Sequence, residues 1–272
     1  MSTVTSADGT TIAFDAYGEG AALIVVDGAT AHRAVNPVNA ELGALLSDDF
    51  RTYAYDRRGR GESGDTAPYA IQREIEDIAA LIEDAGRPAI ISAWSSGCLL
   101  ALDAAGAGLP IAGLVLFEPP VIVSDAFHVL PSDYVEQLDA FIAEGRRDKA
   151  AELFMTAAVG LPPEAVAGIK QSPMWAPVEE VAHTIAYDGR IMGTTMSGKP
   201  LPTDRWAGVT VPVLVLHGDK TWPMLAAGAE AVAAHLPTAA LRVIPGADHS
   251  TEAATLAPIL RECLTWSALQ AL

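Results

Sequence analysis

The sequence has little cysteine, little positive charge and no long apolar run, and each shortage excludes a class of protein. Two cysteines in 272 residues, Cys98 and Cys263, make no disulfide framework. One sits in an apolar run and the other in a helical pattern, as reduced packing residues do, and they build no metal site. Lysine and arginine total 17 against 34 aspartates and glutamates, a formal net charge of −17. A chain so acidic repels phosphate backbones and anionic membrane surfaces, so neither nucleic acid nor a membrane is expected as a partner. No run reaches the ~18 apolar residues that span a bilayer. The opening MSTVTSADGTTIAFDAYGEG lacks the basic and apolar regions of a leader, and the expectation is a soluble cytoplasmic protein.

What is present is the composition of a globular chain, 50% apolar and 19% charged, with room for one large α/β domain carrying an insertion. Six short apolar runs recur: ALIVVD (22–27), RTYAY (51–55), AIISAW (89–94), AGLVLF (112–117), PVLVLH (212–217) and ALRVI (240–244). Near-continuous apolarity over five or six residues suits strands buried on both faces of a parallel sheet. Between them lie helical patterns. Ile71, Ile75, Ile78 and Ile82 form one stripe of an amphipathic helix, which Gly86 and Pro88 end. Strand, helix and strand in succession predict right-handed crossovers and a doubly wound sheet. Residues 118–211 contain no strand-like run and exceed any ordinary connection, so they hold an insertion with helical patterns. A helical cap is predicted at 122–206, over the carboxyl ends of the strands, with a core of 1–121 and 207–272.

The stretch SAWSSGCLL (92–100) places two serines where a buried strand turns into a helix. Ser95 has small residues, Ala93 and Gly97, two positions away on each side. That frame suits a nucleophile on a strained turn, with the central serine projecting and Ser96 offering its backbone amide. A second amide is expected from Gly28 or Ala29 at the end of the first apolar run, and two donors aimed at one point make an oxyanion hole. Of six histidines, His249 alone follows the last strand by a short loop, PGADHS, and so reaches the same sheet edge as Ser95 to act as base. GRGESG (59–64) fits the dinucleotide spacing G-x-G-x-x-G. It follows the second run and leads into a loop, so no nucleotide cofactor is expected.

VVDG, DRRGRGES, AWSSG and PGADHS, in this order and with an insertion before PVLVLH, resemble the α/β-hydrolase superfamily over nearly the whole chain. The resemblance implies the α/β-hydrolase fold, with Ser95 as nucleophile, His249 as base and the amides of Ser96 and Gly28 or Ala29 as oxyanion hole. One position departs from the common pattern: where most members read G-x-x-D after the strand before the histidine strand, this chain has Gly218 and then Thr221. Asp219 is one substitute for the missing acid. Glu118, at the end of AGLVLF, is the favoured one, because some haloalkane dehalogenases and fungal zearalenone lactonases draw the acid from that strand. The lactonases are similar again in reading P-D-G and C-S-S-G and in a cap tryptophan in a context like SPMWAP. Trp175 is therefore a predicted substrate contact, with Met174 and Trp222, while Met155 and Met192 complete an apolar pocket. The implied reaction is hydrolysis of a carboxylic ester or lactone through an acyl-enzyme, without cofactor or metal. The expected partner is a hydrophobic small-molecule ester or lactone, and a homodimer is allowed. Two alternatives stay open: a non-hydrolytic member that binds a ligand or cyclises a natural product, and a haloperoxidase-like perhydrolase.

Overall fold

The first two strands are ones that the apolar runs do not announce. In the computed structural model, which describes residues 1–265, β1 (Ser2–Thr5) and β2 (Thr11–Tyr17) form an antiparallel hairpin with Ser2 opposite Phe14 and Thr5 opposite Thr11. The tail of the expected core, 266–272, lies outside the described residues. The six runs follow as β3 (Ala21–Val26), β4 (Phe50–Tyr55), β5 (Ala89–Trp94), β6 (Ile111–Phe117), β7 (Val213–Gly218) and β8 (Ala239–Ile244). Together they make an eight-stranded sheet in the order β1-β2-β4-β3-β5-β6-β7-β8. β2 meets β4 antiparallel, and every pairing from β4 to β8 is parallel.

Burial follows position in the sheet. β6 and β7 are buried throughout. Ile91, Leu114 and Val215 join one core cluster, while Ile90, Val115 and Leu214 join the other, as the two-residue side-chain period requires. β8 corrects the expectation of double burial: it is the edge strand, and Leu241 and Val243 are 41% and 47% exposed.

The helices are α1 (Val38–Leu45), α2 (Ile71–Ala85), α3 (Ser96–Gly106), α4 (Tyr134–Ala143), α5 (Arg147–Leu153), α6 (Pro163–Ile169), α7 (Trp175–Glu180), α8 (Ile185–Met192), α9 (Pro223–His235) and α10 (Ala253–Glu262). α2 buries Ile75, Ile78 and Ile82 and ends at Gly86, whose φ of 66° is left-handed. α4 to α8 form the insertion between β6 and β7, and α5 runs into a π-helical turn at Phe154–Ala158. α8 packs on α3 and α2, tying the insertion to the core. Among the described residues no helix is long and apolar enough to cross a membrane. Because β3, β5, β6, β7 and β8 run parallel, the segments leaving them share one sheet edge: 27–36, Ser95, Glu118, 219–222 and 245–250.

Candidate active site

Ser95 joins β5 to α3 at φ 50° and ψ −128°, a backbone that non-glycine residues rarely adopt. Its amide donates to the Phe117 carbonyl at 3.0 Å, and its carbonyl accepts from Cys98 at 2.9 Å. Close approach explains the small residues around it. A Cβ on Gly28 would lie 2.8 Å from the Ser95 Cβ, and one on Gly97 would lie 2.5 Å from the Val26 carbonyl oxygen. Of the four non-glycine residues with positive φ among the described residues, three stand on this edge: Thr30, Ser95 and Glu118, and such strain gathers where the surroundings fix a site.

Glu118 leaves β6 at φ 55° and is fully buried. Its Oε1 accepts the Gly218 amide at 2.9 Å, and its Oε2 lies 2.6 Å from Nδ1 of His249. Asp219 is exposed and turns elsewhere, accepting the Gly246 amide on Oδ1 at 2.7 Å. It braces the loop that carries His249 without touching the ring. Trp222 stacks on the imidazole with centroids 5.8 Å apart and planes at 29°. Cys98, although close in sequence, is no nucleophile: burial pushes its thiol well above the ordinary value, and it donates to the carbonyls of Ala93 and Phe117.

The DRRGRGESG segment turns its arginines inward. Arg57, Arg58 and Arg60 are each 1% exposed. Arg58 grips Asp77 of α2 with two hydrogen bonds and also reaches Asp8. Arg57 holds Glu74 of α2 in the same forked way, and both Arg57 and Arg60 reach Asp188 of α8. Burial opposes ionisation of Asp188, but the charges of Arg57 and Arg60 and hydrogen bonds from Arg57 and Ser96 outweigh it and hold the carboxyl below its usual range. Sequence reasoning missed this network. Its signal is on α2, where Glu74 and Asp77 are buried beside the isoleucine stripe and therefore need cationic partners.

Gly28, Ala29, Ser95, Ser96 and His249 all line one cavity of about 290 Å³. Asp27 and Asn36 add polar groups to its wall, and the rest is apolar: Trp94, Phe154, Met192, Met196, Trp222, Met224 and Leu225 among them. No lysine or arginine lines it. Burial pushes the Asp27 carboxyl up to about 6, against hydrogen bonds from Asn39 and Asn36 and the charges of Arg60 and Arg57. Of the predicted contacts, Trp222 and Met192 reach the cavity, whereas Met174, Trp175 and Met155 do not. Met174 is 68% exposed. Trp175 is buried in the main core cluster, and the Lys170 ammonium sits 5.1 Å from its ring centroid. Phe154, Met196 and Met224 escaped notice because an apolar letter does not say which interior it faces, and Asn36 because nothing in its loop marks it out. Among the described residues no group of three or more His, Cys, Asp or Glu could hold a metal ion.

Comparison with known proteins adds four likenesses. A sequence model of the alpha/beta hydrolase family matches residues 10–259. An alpha/beta hydrolase from Sphaerobacter thermophilus is 44% identical, with a TM-score of 0.87 over 97% of this chain and 100% of that one. A 2-(acetamidomethylene)succinate hydrolase of Mesorhizobium japonicum is 26% identical over 238 residues, 85% of this chain and 82% of that protein. A thermophilic esterase from Thermogutta terrifontis shares the fold at 24% identity and a TM-score of 0.69, with 97% of each chain covered.

Proposed function

The chain belongs to the alpha/beta hydrolase family, and from that premise we propose that it is a serine hydrolase cleaving a carboxylic ester or lactone of an uncharged, hydrophobic small molecule. The observation that carries this reading is the 2.6 Å contact of Glu118 Oε2 with His249 Nδ1, on the cavity that Ser95 and His249 both line. With its Nδ1 proton donated to Glu118, the imidazole keeps a bare Nε2 to act as base.

The Ser95 hydroxyl attacks the carbonyl carbon and passes its proton to His249 Nε2, while the carbonyl π pair moves to oxygen. The amides of Ser96 and of Gly28 or Ala29 receive that oxyanion, a donor of this kind contributing about 3 kcal/mol. Collapse of the tetrahedral adduct breaks the bond to the alkoxy oxygen, which takes the proton back from His249. Water then repeats the sequence on the acyl-enzyme, with His249 taking its proton, and the acid leaves. For a lactone the alcohol remains tethered, so the product is one hydroxy acid.

The cavity wall argues for a neutral substrate. A carboxylate on the acyl group would lose its water and meet no cation there, a cost of several kcal/mol, and the nearby Asp27 side chain adds repulsion once ionised. Uncharged acyl groups are therefore preferred over the dicarboxylate skeleton named for the Mesorhizobium relative.

A fluorophosphonate probe tests the reading. The wild-type chain is expected to label at one residue per molecule and to hydrolyse p-nitrophenyl butyrate, and Ser95→Ala to do neither. A wild-type chain that resists the probe, or labelling that survives in Ser95→Ala, overturns it.

A further inference from the structure

We propose that Asp188, on helix α8 of the insertion, is a positioning residue for the oxyanion hole, acting through Arg57, Arg60 and Ser96. The proposal rests on the serine-hydrolase reading of the same site. Asp188 Oδ1 accepts from the Ser96 hydroxyl at 2.7 Å and from Arg57 Nη1 at 2.6 Å, and its Oδ2 accepts from Arg60 Nη2 at 2.5 Å. The same two guanidiniums then reach the turn on the other side of the site. Arg57 Nη1 donates to the Asp27 carbonyl at 3.2 Å, and Arg60 Nη1 donates to the Gly28 carbonyl at 2.6 Å.

These backbone contacts bear on the amides directly. In a planar trans peptide the C=O and N–H point in opposite directions. A guanidinium on the Asp27 carbonyl therefore fixes where the Gly28 N–H points, and one on the Gly28 carbonyl fixes the Ala29 N–H. Each also polarises the peptide it touches, which strengthens the amide as a donor. The Ser96 hydroxyl anchors the residue that supplies the remaining donor. One carboxylate thus gathers both halves of the oxyanion hole.

The network is buried and paired on every side chain it uses. Asp188, Arg57 and Arg60 are each 1% exposed and Ser96 is 2% exposed. Glu74 holds the rest of the Arg57 fork at 2.7 and 2.8 Å, and Thr184, also on the insertion, accepts from Arg60 Nε at 3.0 Å. Seating of the insertion is thereby coupled to oxyanion geometry, and a displaced α8 would loosen the donors without moving Ser95 or His249.

The test compares wild type, Asp188→Asn and Ser96→Ala on p-nitrophenyl butyrate and with a trifluoromethyl ketone, whose Ser95 adduct carries the oxyanion. Asp188→Asn is expected to lower kcat 10- to 100-fold with KM within threefold, and to raise the ketone's Ki in parallel. Ser96→Ala leaves both arginine pairs in place, so it keeps the assay decisive should Asp188→Asn not fold; a fall in kcat and rise in Ki of at least fivefold are expected. Values within twofold of wild type in either folded variant overturn the proposal, as does a KM that rises while kcat and the ketone's Ki hold. Fluorophosphonate labelling of wild type in the same experiment separates the two failures. An unlabelled, inactive wild type fells the serine-hydrolase reading and this inference with it, whereas a labelled, active wild type with unaffected variants fells this inference alone.

Discussion

Glu118 shows how much one side chain can decide. Its Oε1 is committed to the Gly218 amide and its Oε2 faces His249, so both ends of the carboxylate need to be acceptors. In Glu118→Gln the amide oxygen stays with Gly218, and the NH₂ is turned on Nδ1. Two donors cannot face each other, so the imidazole shifts its proton to Nε2 and loses the base that Ser95 needs. We expect kcat to fall by about 10² to 10⁴ with little change in KM. Asp219→Asn keeps an oxygen for the Gly246 amide and is expected to stay within about threefold of wild type. Steady-state kinetics on p-nitrophenyl butyrate read both, and a large loss confined to Asp219→Asn would reverse the assignment. Sequence pointed at Ser95 and His249 through local turn chemistry at a strand end, and at Glu118 through the resemblance to relatives that draw the acid from that strand. The buried arginines were not legible there, since Asp188, which Arg57 and Arg60 share, lies 131 and 128 residues away, and the nearer cue is the pair of buried acids on α2, Glu74 and Asp77. Met174 and Trp175 misled because the likeness of SPMWAP to the lactonases does not say where each side chain goes: Met174 is exposed and Trp175 is buried away from the cavity.

Among the elements, the central parallel strands were readable from their apolar runs, which is what double burial demands. β1 and β2 were not, because β1 is short, polar and almost wholly exposed at an edge. The insertion was visible as a long gap between strands, while its seating on α3 through α8 depends on charges paired across the chain. Packing of α3 on β3 is a separate demand, and two glycines distinguish steric need from conformational need. In Gly97→Ala the new Cβ would lie 2.5 Å from the Val26 carbonyl oxygen and 2.7 Å from that of Asp27, so helix or strand must shift, at a cost of about 2 to 4 kcal/mol. In Gly86→Ala nothing stands within 4 Å of the new Cβ, and only the left-handed backbone is strained, which costs about 1 kcal/mol. Urea unfolding with unchanged m-values is expected to give that order, and an equal or reversed order would refute the packing argument.

At the scale of the molecule the question is how a chain with formal charge −17 responds to pH, because self-repulsion and buried carboxyls act together. Asp8, Asp15 and Asp188 are all held below the usual carboxylate range, burial opposing and arginine contacts prevailing. Their contribution is present above the unfolded carboxyl pKa of about 4 and is lost as pH falls through their folded values. His183 has its pKa lowered by burial first and then by Arg147, so it too favours folding above the unfolded imidazole value and less below it. Asp27 runs the other way. Its folded pKa, raised by burial to about 6, makes its contribution fully present below the unfolded value and lost as pH rises through about 6. Between pH 4.5 and 7.5 this one group withdraws about 2 kcal/mol of stability. The opposing signs make the net curve a poor witness, whereas a difference between two chains isolates the term. Asp27→Asn cannot ionise, so its stability relative to wild type should improve by about 2 kcal/mol between pH 4.5 and 7.5, whatever its absolute value. Paired urea titrations at the two pH values, in the same salt, measure that double difference. A difference near zero would mean that Asp27 stays ionised in the folded protein across this range, held so by Asn36 and Asn39 and the flanking arginines. The cavity would then carry a fixed negative charge beside Gly28 throughout that range.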